Sequence, residues 1–528
     1  MRRTFLLLII FIGTLNCFAQ KRAWQSVFAD DIKAETLEQH LEVLASDEYE
    51  GRETGEKGQK LSAEYLANFY KALGLPPVKK DSSYYQTIPL VIEKWGDVSI
   101  TANEKSFTFL EDFYAFGRTT EAFEFKAEQV VFGGYGIKDE VYNDYKNIDV
   151  KNKIVVVLAG EPTLKNGNFV VGNSKEASKW SGNWRSKIET AKSEGAKALL
   201  VVRNDIETQI ERNHHSITST SMKLVEDSNN KKSRYIPTFY ISKTMAESLL
   251  PVKFAKLQRK QVKKAAKKKT LAKAVKSNVS INVAKETIKV EGENVFGYIE
   301  GSDLKDELIV LTAHYDHLGV HDGKTFNGAD DNGTGTVALM EIAESFVKAK
   351  EQGHGPRRSI LIFNNAAEEK GLLGSKHYTN FPLFPLEKTV ACLNIDMIGR
   401  LDPAHEAKKD TNYVYVIGTD FLSTDLHKIN ERANRAFAKL NLDYAYNTYD
   451  DPNRFYYRSD HYNFVQKGIP SIFYFSGVHK DYHKHTDTED KIVYPKVESI
   501  TKLVFHTAWE LANRDERIKV DVVPPEGK

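Results

Sequence analysis

The stretch "DELIVLTAHYDHLGVHDGKTFNGADDNGTGTVALMEIAESFVKA", residues 306–349, reads as a strand, a loop and a helix in that order. An apolar run ends at His314 and Asp316. A turn rich in glycine and aspartate holds Asp330 and Asp331. Apolar residues then recur at helical spacing. Asp, Asn and Gly are ordinary turn and helix-entry residues, so the acidic pair by itself is accounted for by a helix cap. The rest of the chain gives it a second reading.

Downstream, "RRSILIFNNAAEE", "KTVACLNIDMIG" and "NYVYVIGTD" are apolar strand candidates, as is "NVFGYIEG" just before the opening stretch. They alternate with helical runs such as "DLHKINERANRAF". That rhythm predicts an α/β fold, a sheet with helices on both faces. In such sheets, binding sites form at the carboxyl ends of the strands. Each acidic or histidine cluster of this region falls at such an end.

Upstream, residues 31–75 read as helices around the polar turn "DEYEGRETGEKG". Short alternating segments, such as "DVSITANEKSFTFL", follow to about residue 120. The texture changes near Phe125. "YNDYKNIDVKNKIVVVLAGEP" and "AKSEGAKALLVV" resemble a protease-associated domain, which implies a module inserted into a secreted peptidase as a lid or substrate guide. The basic run "KFAKLQRKQVKKAAKKKTLAKAVK", from Lys253 to Lys276, has no interleaved aromatics and reads as a solvated helix at the edge of that module.

The chain has 528 residues, 41% of them hydrophobic and 11% aromatic, enough for several cores. Its net charge of +2 gives no global reason for a nucleic-acid partner. "MRRTFLLLIIFIGTLNCFAQ" reads as a signal peptide cut after Ala19, which implies export to a periplasmic or extracellular address. Cys17 offers a lipoprotein alternative, though Asn16 before it suits a lipobox poorly. No later stretch is long and apolar enough to span a bilayer. Cys392, the other cysteine, sits in a strand-like run and is expected in the core.

Four clusters carry chemistry. In "LTAHYDHLG", alternation along the strand puts Asp316 on the same side as His314, where it can orient the imidazole. "NNAAEEKGLLGS" offers Glu368 and Glu369, adjacent and therefore divergent: one for a metal, the other for a bound water. "LNIDMIG" buries Asp396 among apolar neighbours, where a carboxylate needs a cation or strong donors. "DYHKHTDTEDK" supplies His483 and His485. Together these form an inventory for two divalent ions sharing a bridging carboxylate, one of the aspartates of the opening turn. "SDH" at 459–461 invites a serine-hydrolase reading. Three consecutive residues do not easily form a relay, and no nucleophile elbow accompanies them.

The order "HYDH", "GADDNGTG", "AAEEKGLLGS", "NIDM", "YHKHTDT" resembles the co-catalytic zinc aminopeptidases, whose fold is shared with the transferrin receptor and glutamate carboxypeptidase. The resemblance covers about residues 290–510 and the N-terminal helices. It implies a mixed central sheet flanked by helices, two Zn2+ ions per chain and peptide substrates, with no nucleic acid. It implies His314 and Asp396 on one zinc, Glu369 and His483 on the other, and Asp331 as the bridge, with His485 as runner-up to His483. It further implies Glu368 as general base, Asp316 behind His314, and Tyr456 of "RFYYRSDHYNF" at the oxyanion. Some relatives hold that tyrosine with a disulfide, and this chain has no cysteines there. The expected layout is a signal peptide (1–19), an N-terminal part of the peptidase (20–120), the protease-associated insertion (121–285), the catalytic domain (286–515) and a tail (516–528). The expected activity is a secreted aminopeptidase. The rivals are a carboxypeptidase or dipeptidase on the same fold, a glutaminyl-cyclase-like enzyme, and an inactive receptor-like protein.

Overall fold

The apolar runs around the opening stretch are strands in the computed structural model, which describes residues 24–78, 83–117, 119–229 and 235–525. The signal-peptide reading and Cys17 lie outside the described residues. The chain divides into two compact units: one from the chain before Val91 and after Lys289, the other Val91–Lys289.

The sheet of the first unit uses β1 (Lys273–Ile299), β2 (Leu304–His314), β3 (Arg358–Asn365), β4 (Thr389–Ile395), β5 (Tyr413–Ile417), β6 (Asn441–Asp443) and β7 (Ser471–Phe475). Their order is β6-β5-β7-β4-β2-β3-β1, with β1 contributing residues 295–299. Strands β7, β4, β2 and β3 are mutually parallel, while β5 and β1 run against their neighbours β7 and β3. Every residue of β3, β4 and β7 is buried, as expected where helices cover both faces. Cys392 is fully buried in β4.

The covering helices include α1 (Ala34–Leu44), α2 (Lys57–Ala72), α3 (Gly335–Glu351), α4 (Leu373–Asn380), α5 (Thr424–Ala433) and α6 (Tyr494–Asn513). Helix α3 is apolar on most of its circumference and is correspondingly buried. It meets α6 through Phe346, whose ring lies 4.8 Å from Phe505 and 5.7 Å from Trp509. Four adjacent parallel strands bring their carboxyl ends to one edge of the sheet. His314 ends β2, Glu368 and Glu369 follow β3, Asp396 follows β4, and His483 lies in the loop after β7.

In the second unit, Phe123–Phe132, Ile154–Leu158, Ala198–Val202 and Thr238–Ile241 pair in parallel succession. Apolar clusters form on both faces, one around Phe132, Val156 and Leu200, the other around Val131, Val155 and Leu199. Ser99–Ala102 and Lys105–Thr108 form a hairpin whose turn residues, Asn103 and Glu104, both have positive φ, as a tight two-residue connection requires. The basic run begins as the helix Phe254–Ala265. It buries Phe254, Leu257, Gln261 and Ala265 and leaves its lysines in solvent. No helix among the described residues is long and apolar enough to cross a membrane.

Candidate metal centre

The opening turn is shaped by its glycines and by Asn332. Gly328 has φ +54°, and a Cβ there would lie 2.3 Å from the Asp331 carbonyl and 2.4 Å from the His317 ring. Only glycine fits. Asn332 donates through Nδ2 to the Ile395 carbonyl (2.8 Å), and its Oδ1 accepts from the N–H of Gly335 (3.0 Å) and Met397 (3.2 Å). One amide therefore ties the turn to the strand end that carries Asp396.

The two aspartates of the pair then diverge. Asp330 Oδ1 accepts from the Gly399 N–H at 2.6 Å and from Thr334 Oγ1 at 3.1 Å, which fixes it to the far loop. Asp331 faces the imidazoles. Its Oδ1 lies 3.4 Å from His314 Nε2, and its Oδ2 lies 3.2 Å from His483 Nε2 and 3.9 Å from His317 Nδ1. Behind the pair, one oxygen of Asp487 accepts the backbone N–H groups of both Asp330 (3.0 Å) and Asp331 (3.1 Å).

On the first side, His314 is buried and its Nδ1 donates to the Asp316 carbonyl at 3.0 Å. That bond leaves Nε2 as the free nitrogen, aimed at Asp331 and at Asp396 Oδ1, 3.5 Å away. The second oxygen of Asp396 accepts from Ser459 Oγ at 2.6 Å. On the other side, Glu369 Oε2 is 3.2 Å from His483 Nε2, and Oε1 is 2.9 Å from His317 Nδ1. Glu368 reaches to 3.9 Å from His314 Nε2.

The electrostatics are those of several carboxylates and imidazoles crowded together and buried. Burial raises Glu368 well above the usual carboxylate range. His314 opposes the rise, and Glu369, Asp460 and Asp396 add to it. Burial lowers His483, but the nearby carboxylates of Asp331 and Glu369 outweigh it and raise the imidazole to about 10. Burial likewise opposes a charged His314, and Glu368 and Asp396 overcome it.

Six buried atoms here lack a hydrogen-bond partner: Nε2 of His314, both ring nitrogens of His317, Oδ2 of Asp331, Oε1 of Glu369 and Oδ1 of Asp396. Folded proteins rarely leave such atoms unsatisfied. Two groups have ligand atoms close enough together for one ion each: His314, Asp331 and Asp396, and His317, Asp331 and Glu369. Imidazole and carboxylate donors in sets of three suit zinc.

The structure thus brings together His314, Asp331, Glu368, Glu369, Asp396 and His483. Asp316 is adjacent but works differently from the expectation. Its backbone carbonyl, not its carboxylate, holds His314. The carboxylate accepts from Thr54 Oγ1 (2.9 Å) and the Glu368 N–H (3.2 Å), with Oδ1 3.7 Å from His314 Nδ1. His485 is exposed, with its ring 6.2 Å from Phe326, outside the cluster. The Tyr456 ring is buried against Phe421 (4.7 Å) and Tyr449 (5.6 Å), in the same aromatic cluster as Phe455, Phe473 and Phe475. Ser459 and His461 form no relay: the serine is bonded to Asp396, and the histidine ring stacks on Phe473 at 5.0 Å.

Sequence reasoning missed His317. It stands in the quoted "HYDH", but strand alternation was applied past the end of the strand. It also missed the turn after α1. Arg52 is buried and donates to the carbonyls of Tyr315 (2.7 Å), Leu44 (2.7 Å), Asn327 (2.6 Å) and Gly328 (2.8 Å). Thr54 bonds Asp316 and accepts from the Ala367 N–H at 3.0 Å. The polar turn of the N-terminal segment thus props two of the loops that carry the cluster.

The cleft measures about 340 Å³, counting space that opens to solvent, and is lined by Asp331, Glu368, Asp396 and His483 and by an aromatic wall that includes Phe455, Phe473 and Phe475.

Residues 294–508 match peptidase family M28, and residues 125–249 match the PA domain. A probable leucine aminopeptidase of Arthroderma otae is 30% identical over 214 residues, 39% of this chain and 55% of the relative. A probable glutamate carboxypeptidase of Arabidopsis thaliana is 39% identical over 112 residues, 21% of this chain and 15% of the relative. The chain spans about half the length of the leucine aminopeptidases it matches and less of the carboxypeptidase. The solved aminopeptidase from Aneurinibacillus sp. strain AM-1 aligns over 96% of this chain and 100% of its own, with a TM-score of 0.53 and 17% identity, a likeness of fold.

Proposed function

We propose that this chain, whose residues 294–508 match peptidase family M28 and whose residues 125–249 match a PA domain, is an exported zinc aminopeptidase that removes N-terminal residues from peptides with two zinc ions. The observation that carries the reading is the pair of oxygens on Asp331. One faces His314 at 3.4 Å and the other faces His483 at 3.2 Å, as a bridging carboxylate would.

His314 and Asp396 would hold one ion, and Glu369 and His483 the other, with His317 a second candidate beside Glu369. Zinc in such sites supplies Lewis acidity at neutral pH. The chain's own residues do the rest. Ser459 and the Asp316 carbonyl fix the directions of Asp396 and His314. Glu368 takes a proton from the attacking water and returns it to the departing amine. Burial raises its affinity for protons, the direction that a group accepting the water's proton needs.

A second reading, a carboxypeptidase on the same framework, is favoured by the similarity to the glutamate carboxypeptidase. The test is a set of short peptides with free or acetylated N-termini, offered to the zinc-loaded and the chelated protein. Zinc-dependent cleavage restricted to free N-termini is expected. Cleavage of acetylated peptides at the other end selects the carboxypeptidase, and turnover that survives full chelation rejects both.

A further inference from the structure

The cleft wall carries one guanidinium, Arg458, besides the groups assigned above. Arg458 Nη2 donates to Tyr482 Oη at 3.1 Å, and its guanidinium lies 5.0 Å from the centre of the Phe455 ring. Both supports are rings, and both belong to residues that line the cleft. The next residue, Ser459, is bonded to Asp396, so the backbone that presents the arginine is anchored on the candidate centre. Tyr482 in turn stacks on His483 at 3.8 Å. The arginine therefore stands one tyrosine side chain away from a candidate zinc ligand.

The cleft is rich in carboxylates, yet among the described residues none lies within ion-pair distance of Arg458. A guanidinium carries five N–H donors in a planar fork that matches a carboxylate. Here the side chain is exposed, so its donors beyond the Tyr482 bond stay open to a ligand, while the acids of the cleft are turned toward one another and their histidines.

We propose that Arg458 binds a carboxylate on the departing side of the scissile bond, so that the chain favours short peptides whose leaving residue is itself negatively charged. This rests on the peptidase reading above. The carboxylate has two sources, the α-carboxylate of a C-terminal residue or an acidic side chain, and they share the same recognition.

The test compares kcat/KM of the zinc-loaded full chain on leucyl-glycine, leucyl-glycinamide and leucyl-glutamic acid α-amide, with N-acetylated forms in parallel. The dipeptide acid is expected to exceed its amide by about tenfold or more, the range of one charge-assisted contact. The glutamic amide reports whether a side-chain carboxylate substitutes. In Arg458→Met the ratio of acid to amide falls to about one, and Arg458→Lys, with charge but no fork, holds an intermediate ratio. A wild-type ratio near one overturns the proposal without any variant. So does an Arg458→Met that lowers acid and amide equally, since that is the mark of a purely structural arginine. Absence of turnover on every peptide, free or acetylated, instead removes the peptidase reading, and this inference with it.

Discussion

The two halves of the candidate centre are built differently. The His314 half is sealed: the imidazole is 1% exposed, a backbone carbonyl sets its tautomer, and Ser459 holds the partner carboxylate. The His483 half is open. Its imidazole is 38% exposed, its backbone has a φ of +55°, it leans on the ring of Tyr482, and a second imidazole, His317, stands beside the same glutamate. A ligand locked by neighbours loses little freedom on binding, whereas one on a loop has to be ordered by the ion itself. For the two ions proposed above, the comparison predicts tight binding on the His314 side and exchange on the His483 side.

The largest expected effect sets the scale for both halves. Glu368→Gln removes a proton carrier without touching a ligand. Turnover should fall by about three orders of magnitude, while elemental analysis still finds the wild-type zinc content. Near-normal turnover would reassign the base.

Next in size is the contrast itself. His314→Ala should strip metal from the sealed half and abolish activity. His483→Ala should leave one ion tightly bound and weaken the other, with His317→Ala showing whether the buried imidazole shares that ion. Equal losses in His314→Ala and His483→Ala, followed by zinc titration after dialysis, would break the comparison.

The smallest effect is a pH dependence. His483 is raised from its ordinary value to about 10 in the protein alone. A raised imidazole contributes stability that is fully present below about 6.5 and lost as pH climbs through about 10. The chelated protein should therefore lose thermal stability across that window. The zinc-loaded protein should lose less, because the ion has already displaced the proton, and zinc uptake near pH 7 should release protons to the buffer. A chelated protein with a flat profile would show that Asp331 and Glu369 do not hold His483 as described.

The sheet and the acid clusters were legible because both are local signals. An apolar run followed at once by His, Glu or Asp marks a strand and its carboxyl end, and parallel strands carry those ends to one edge. Asp331 was separable from Asp330 only by resemblance. The physical ground, Asp330 Oδ1 occupied by the Gly399 N–H, joins positions far apart in the chain. Arg52 and Thr54 show only a polar turn in the sequence for the same reason: a donor that reaches distant carbonyls leaves no period there. Tyr456 has only its family position to mark it, since an aromatic residue among aromatics carries no local signal of a catalytic task. His317 was visible and passed over, because the chain turns after His314 and alternation no longer applies.

The buried guanidinium of Arg52 has a consequence for how the molecule is made. It orders the carbonyls of residues 327 and 328 from a position that leaves the ribosome well over two hundred residues sooner, with Val91–Lys289 synthesised in between. The early segment must wait for its acceptors. A fragment that begins at Val290 would contain every residue proposed here for zinc and still lack the brace that sets the loop ahead of Asp331, so a complete ligand count in a truncated gene does not foretell a working centre.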